Sequence, residues 1–331
     1  MTKRKITNKI QRLISLALVV VMVFAFVGCG TATEDVNVDN SGYNAGAGAS
    51  ADNPYTFIDD YGRTVTVTSY KRTATLIGSF ADVWMSAGGS VVATANDTWT
   101  NFDLGLSSDV VNIGSINPNV ELLIASRPDF VIASCNTDSN IALMQTLENA
   151  GITVAYFDVS NFEQYLNMLD KCTMITGRRD LYKTNGTDVK EQIDTIKSRV
   201  DGSNPKILFI RTSSSSVKAK QSEGSVGGEI LKDLGCVNIA DSDTSLLDDL
   251  SLEAIVVADP DYIFVTTQGN DTDAAIRNID KLLTSNPAWS SLTAVKQGRY
   301  YVLDKKLYNL KPNAKWGEAY KQLADILYID R

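Results

Sequence analysis

The chain has 331 residues, enough for two domains, and 44% hydrophobic with 21% charged residues describes a protein with sizeable cores, neither disordered nor embedded in a membrane. Its 31 Lys and Arg against 39 Asp and Glu give a formal charge of −8, which excludes a nucleic-acid binder, because neutralising phosphates needs clustered cations that this chain lacks. Histidine is absent, and with it any Ser-His-Asp or Cys-His nucleophile, an imidazole base, a His-rich metal site and a haem held by axial His; an axial Tyr stays open among 13 tyrosines.

In chain order, Lys3, Arg4, Lys5, Lys9 and Arg12 precede an apolar run over 13–27 and then Gly28-Cys29. A basic start, an apolar middle and a small residue before the cut make a secretory signal over 1–29. The run is shorter than the ~20 residues a spanning helix needs. Phe26-Val27-Gly28-Cys29 resembles a bacterial lipobox, which implies that Cys29 is diacylated and anchors the protein at the outer face of the cytoplasmic membrane; ordinary signal cleavage is the alternative. Cleavage removes five basic residues and no acidic one, moving the charge from −8 to −13. Residues 30–53, rich in Gly, Ala, Asn, Ser and Asp, read as a flexible tether. Cys135, Cys172 and Cys236 lack the spacing of a metal ribbon; free buried thiols are expected, with a Cys135–Cys172 bridge as the alternative.

From 54 to 160 the pattern is a first α/β lobe. Apolar alternation on both sides of Asp59-Asp60-Tyr61-Gly62-Arg63 predicts a hairpin. Strands follow at 74–77, 91–95, 110–113, 130–133 and 153–157, with helices at 81–87, 120–124 and 141–149 between them. Strands alternating with helices mean a parallel sheet. Asn117-Pro118 opens the middle helix and Arg127-Pro128 closes it, since a residue before proline is driven out of the α region. Residues 161–204 show only helical spacing, punctuated at Gly177, and Gly186 inside that stretch predicts a kink. A second lobe, 205–331, has strands at 206–210, 262–266 and 300–303, with helices at 227–234, 252–257, 274–283, 289–295 and 314–328. Each lobe contains a helix ending at Pro-Asp before a buried strand: Pro128-Asp129 and Pro260-Asp261. Two α/β lobes with parallel-rich sheets leave a ligand cleft between them, at the carboxyl ends of the strands.

Gly114, Pro118, Asn119, Glu121, Pro128 and Asp129, with the hairpin stretch, the 227–241 and 250–265 segments and the carboxyl-terminal 286–304 and 311–328 segments, resemble the substrate-binding proteins of ABC importers for iron–siderophore, haem and vitamin B12 over about 57–328. The resemblance implies two lobes joined by a long helical connector, no enzymatic chemistry, a monomeric receptor, and as partners a permease with its ATPase. It also implies docking through one carboxylate on each lobe, which maps to Asp82, where the family has Glu, and to Glu229; both are otherwise acids near helix starts favoured by the dipole.

Candidate ligand-binding residues lie in strand-end loops. Arg211, Lys218 and Lys220 beside the 213–216 serines suit an anionic, oxygen-rich ligand such as a ferric chelate. Ser79 and Phe80 follow one first-lobe strand, Trp99 in a polar stretch follows the next, and Tyr308 follows the last second-lobe strand; Trp84, Trp289 and Trp316 fit the core better. No catalytic residue, metal site or resident cofactor is expected; the ligand itself is a ferric chelate, haem or cobalamin. The expected function is capture of a metal chelate, foremost an iron–siderophore, outside the cell and delivery to the permease. A transferase-like enzyme on the two-lobed scaffold, or a surface sensor without a transporter, is the alternative.

Overall fold

The computed structural model describes residues 46–328 apart from 116, 244 and 249. Cys29, the signal segment and the tether up to residue 45 lie outside the described residues. Residues 46–49 do not hang free: Gly46 N donates to Gly177 O at 2.7 Å and Ala49 N to Ile175 O at 2.7 Å.

The predicted hairpin is β1 (Tyr55–Ile58) and β2 (Thr64–Val67), antiparallel. Its turn is built by buried Asp59, whose Oδ1 accepts from Tyr61 N at 3.1 Å and Arg63 N at 2.8 Å while Oδ2 takes the Arg63 guanidinium at 2.9 Å. The same carboxylate accepts from Tyr156 N at 3.1 Å and so fastens the hairpin to the first lobe.

The first lobe is a parallel sheet of β3 (Thr73–Thr75), β4 (Val91–Thr94), β5 (Val111–Asn112), β6 (Phe130–Ser134) and β7 (Thr153–Phe157), in the order β5-β4-β3-β6-β7. Chain direction across the sheet reverses between β3 and β6, which opens a crevice at their carboxyl ends. Among its helices are α1 (Gly78–Ser86), α2 (Asp97–Asn101) and α3 (Val120–Ala125). Asn119 caps α3, accepting from Leu122 N at 3.0 Å. Arg127, held before Pro128, ends the helix at φ 49.

The second lobe repeats the plan with β8 (Lys206–Thr212), β10 (Val237–Asn238), β11 (Tyr262–Thr267) and β12 (Tyr300–Leu303), parallel in the order β10-β8-β11-β12; β9 (Val217–Ala219) adds antiparallel to β8. The switch point falls between β8 and β11. Strands β9 and β10 are additions to the sequence reading: three and two residues are too short for any periodicity to register.

The helical stretch between the lobes is not one rod. Helix α4 (Phe162–Thr176) starts with a capping box, Asn161 with Gln164, and stops at Gly177 in the left-handed region at φ 72. A Cβ there would lie 2.3 Å from Gly46 O, so only glycine fits. The chain then folds back through a short helix, a π-helical turn over Lys183–Thr187 and α5 (Asp188–Lys197). Tyr165 Oη donates to Asn185 O at 2.8 Å, and a Cβ on Gly186 would sit 3.1 Å from Leu166. The predicted kink at Gly186 is thus a π-bulge, an extra residue that lets the returning helix pack closely on α4.

Helix α6 (Val226–Asp233) follows β9, and the carboxyl-terminal α7 (Trp316–Leu327) packs on α5, with Arg199 Nη1 reaching Asp325 at 2.7 Å just beyond it. One apolar cluster takes in Phe80, Trp84 and Phe157 of the first lobe, Leu169 and Ile193 of the connector, and Phe209, Ile230, Trp316 and Tyr320 of the second. Each outer sheet face has its own smaller cluster. A shared core of this kind couples the lobes, because interiors packed at crystal-like density resist shear.

Candidate functional site

The carboxyl ends of β6 and β7 in one lobe and of β8 and β11 in the other face each other across a cavity of about 450 Å³. Three cations look into it. Arg211 is the last-but-one residue of β8, where strand alternation puts Ile210 and Thr212 in the core and Arg211 at the crevice. Lys220 follows β9, which folds back onto β8 and carries it to the same place. Lys311, after β12, enters from the loop that closes the cleft and lies 5.7 Å over the Phe80 ring. Among the described residues the side chain of none of the three makes a hydrogen bond or salt bridge, while the backbone of Lys220 donates to Phe209 O at 2.8 Å. Burial lowers the affinity of Arg211 and Lys220 for their protons, and for Lys220 the charges of Arg211 and Lys218 add to it. Lys311 is lowered too, by burial, against the opposing pull of Asp158 and Asp97.

Facing these cations, the first lobe supplies Asn136 and Asp158, which are hydrogen-bonded to each other, and Thr266 lies on the second-lobe side. Asp158 also accepts from Gln164 Nε2 at 3.2 Å, so its charge is shared with neutral donors and does not cancel three cations. Cys135, beside this wall, has its thiol pushed up to about 11 by burial, with Asp158 and Asp60 adding, and is a free, protonated thiol. Cys172 and Cys236 are free and buried, with burial raising both, Cys236 to about 12.

A second cavity of about 420 Å³ is lined by Leu76 and Ile77 beyond β3, Ala95 beyond β4, Asp97 and Thr100 of α2, Thr137 beyond β6, and Gly269 and Asn270 beyond β11. Both Asp97 oxygens accept from Gly78 N, at 3.0 and 2.9 Å, at the start of α1. Lys305 Nζ holds the Gly269 carbonyl at 2.9 Å and fixes that loop.

Arg211, Lys220 and Tyr308 all line the first cavity, though the Tyr308 hydroxyl turns away and donates to Ala319 O at 3.0 Å. Lys218 is exposed on β9 and lines neither cavity. Ser79 is buried in α1, its carbonyl accepting from Asn313 Nδ2 at 2.9 Å, and Phe80 is fully buried in the shared core, edge-on to Phe157 at 6.4 Å. Trp99 is 41% exposed on α2 rather than in a loop, and it too lines neither cavity. Trp84, Trp289 and Trp316 are core residues.

Asp82 stands in the second turn of α1, half-buried, where Oδ2 accepts from Asn313 Nδ2 at 2.7 Å. Burial raises its proton affinity against that hydrogen bond. Asn313 is fully buried at φ 55 and bridges the lobes through this contact and the one to Ser79. Glu229 lies in the first turn of α6 and accepts from Gly224 N at 3.1 Å.

Sequence reasoning missed Lys311, Asp158 and Asn136. Asn136 and Asp158 each follow a first-lobe strand closely, a position that could have been searched for polar side chains as the second-lobe loops were. Lys311 follows the turn after β12 that holds Tyr308, and its signal was a lysine between an apolar residue and Pro312 at a strand-end loop.

Two α/β lobes with facing switch points and a cleft between them are the architecture of a periplasmic binding protein, and the family model described as "Periplasmic binding protein" matches residues 74–307. The chain belongs to that family. Its relatives include the Fe(3+)-citrate-binding protein YfmC of Bacillus subtilis, 26% identical over 254 residues that cover 75% of this chain and 77% of the relative. Another, from the same organism, is an uncharacterized ABC transporter substrate-binding lipoprotein, YvrC, 27% identical over 84% of this chain and 86% of its own length. Among solved structures, Staphylococcus aureus SirA complexed with staphyloferrin B has the same fold, with a TM-score of 0.63 at 21% identity, over 83% of this chain and 97% of that one.

Proposed function

We propose that this protein is the extracytoplasmic receptor of an ABC importer and that it captures an anionic ferric chelate of the carboxylate type. The observation that carries the reading is the set of three cations, Arg211, Lys220 and Lys311, in one inter-lobe cavity where, among the described residues, none of their side chains forms a salt bridge and Asp158 is the one carboxylate in the lining. Desolvated cations left unpaired are unfavourable unless a ligand supplies the countercharge. A guanidinium adds a planar donor fork that matches a carboxylate. The named ligand of the YfmC relative, ferric citrate, has this chemistry.

The metal enters this scheme inside its chelate. Among the described residues no three His, Cys, Asp or Glu side chains form a group that could hold an ion. Haem is the weaker candidate, because the tyrosine of the cleft, Tyr308, commits its hydroxyl to Ala319 O. The role is binding, with no covalent step. Anchoring through a lipid on Cys29 belongs to the same proposal, supported by the lipobox-like tetrapeptide and by the lipoprotein names of relatives.

Delivery to a permease is the second half of the proposal, with Asp82 and Glu229 as its docking carboxylates. The test replaces their charge while keeping an acceptor for Asn313 and Gly224: Asp82→Asn with Glu229→Gln. The double variant should bind ferric citrate as the wild type does and fail to support uptake of radioactive iron citrate by cells. Normal uptake removes both residues from docking.

A further inference from the structure

The cleft has two chambers of comparable size and opposite character, and they adjoin along the chain. Asn136 lines the cationic chamber and Thr137, the next residue, lines the other. On the facing lobe Thr266 belongs to the first and Gly269, three residues on along the same strand end, to the second. The second chamber presents the aliphatic groups of Leu76, Ile77 and Ala95, and among the described residues no cation lines it. Its one carboxylate, Asp97, holds Gly78 N with both oxygens, Asn96 Oδ1 accepts from Asn112 Nδ2 at 2.8 Å, and the remaining polar lining residues, Thr100, Ser115, Thr137 and Asn270, are neutral. A carboxylate brought there would meet the Asp97 charge and only neutral donors, with no cation in the described lining to offset its desolvation.

We infer that the physiological ligand is amphiphilic: a ferric carboxylate chelate whose anionic head sits among Arg211, Lys220 and Lys311 and whose uncharged hydrocarbon arm fills the chamber walled by Leu76, Ile77 and Ala95. This rests on the carboxylate-chelate reading and adds to it the direction in which the ligand lies. The electrostatics orient it without any shape match. The head is drawn to three cations on one side and repelled by Asp97 on the other, while the arm gains by leaving water. A small, fully polar chelate occupies one chamber and leaves the second to solvent.

The experiment uses two ferric complexes of equal charge, one of a citrate bearing a single methylamide and one bearing a single hexylamide, titrated into the detergent-solubilised full chain by calorimetry. The hexylamide complex should bind at least tenfold more tightly. Thr100→Trp and Asn270→Trp, each filling the second chamber from an exposed position, should bring the ratio of the two affinities close to one, with the fold checked by circular dichroism. Equal affinities for the two complexes in the wild type, or a ratio unmoved by both substitutions, would overturn the two-chamber ligand while leaving the cationic site standing. Failure of the methylamide complex to bind at all overturns the carboxylate-chelate reading itself, and this inference with it.

Discussion

The two lobes are built by the same local rules and furnished with different chemistry. In each, a helix is stopped by a residue held in the left-handed region before a proline, Arg127 at φ 49 and Asp259 at φ 42. In each, the aspartate after that proline accepts a backbone N–H at the mouth of the neighbouring strand, Asp129 from Arg72 N at 3.1 Å and Asp261 from Lys206 N at 2.8 Å. Both pairs are closed by the reverse backbone bond, Asp129 N to Arg72 O at 3.0 Å and Asp261 N to Lys206 O at 2.8 Å. The repeated Pro-Asp therefore sets strand register at the amino ends, far from the cleft. At the carboxyl ends the likeness disappears: the first lobe presents Asp97, Asn136 and Asp158, and the second Arg211 and Lys220. The fold supplies two facing crevices, and the unlike side chains at their lips give the cleft its polarity.

The largest effect should come from inverting that polarity. Arg211→Glu places a carboxylate among the remaining lysines and should weaken ferric citrate binding by at least about 100-fold, or about 2.8 kcal/mol by calorimetry. Next is the strap between the lobes. Asn313→Gly keeps the left-handed backbone and removes both side-chain bonds to the first lobe, so chemical denaturation should show a loss of about 1–3 kcal/mol. A smaller change is expected for Lys220→Met, about tenfold in affinity, and its signature is in pH. The free lysine has a depressed pKa and the bound anion favours its charged form, so wild-type affinity should fall as pH rises through that depressed value. The variant should lose that part of the decline. The smallest effects test the likeness itself: Asp129→Ala and Asp261→Ala should each cost about 1 kcal/mol of stability and leave chelate affinity alone. A large loss of binding in either would break the separation between the amino-end register and the carboxyl-end chemistry.

Much of this scaffold was legible in the residues. The strand runs 130–133, 153–157 and 262–266 are continuous apolar stretches bounded by turn residues, and each is a buried parallel strand. Gly186 marked the irregular turn, although spacing alone cannot distinguish a kink from a π-bulge. The reversal at Gly177 was visible only as punctuation, since its cause is the approach of Gly46 from more than a hundred residues away. The cationic half of the cleft could be read because Arg211 ends a strand, and Lys220 because it lies a few residues further on. Lys311 offered only the faint signal of a lysine in a strand-end loop and Asn313 none, for their roles depend on how the loop after β12 crosses to the first lobe. Trp99 shows the converse: an aromatic residue in polar company looks like a cleft wall until helix α2 directs it elsewhere.

On the proposed function, the second lobe's cations select an anionic ferric chelate. This selection is tested most directly by titrating the solubilised full chain with ferric citrate and, separately, with a positively charged ferric trihydroxamate complex at the same ionic strength. Saturable binding of ferric citrate with no detectable binding of the cationic complex is the result predicted, and added salt should weaken the former. Preference for the cationic complex would contradict it.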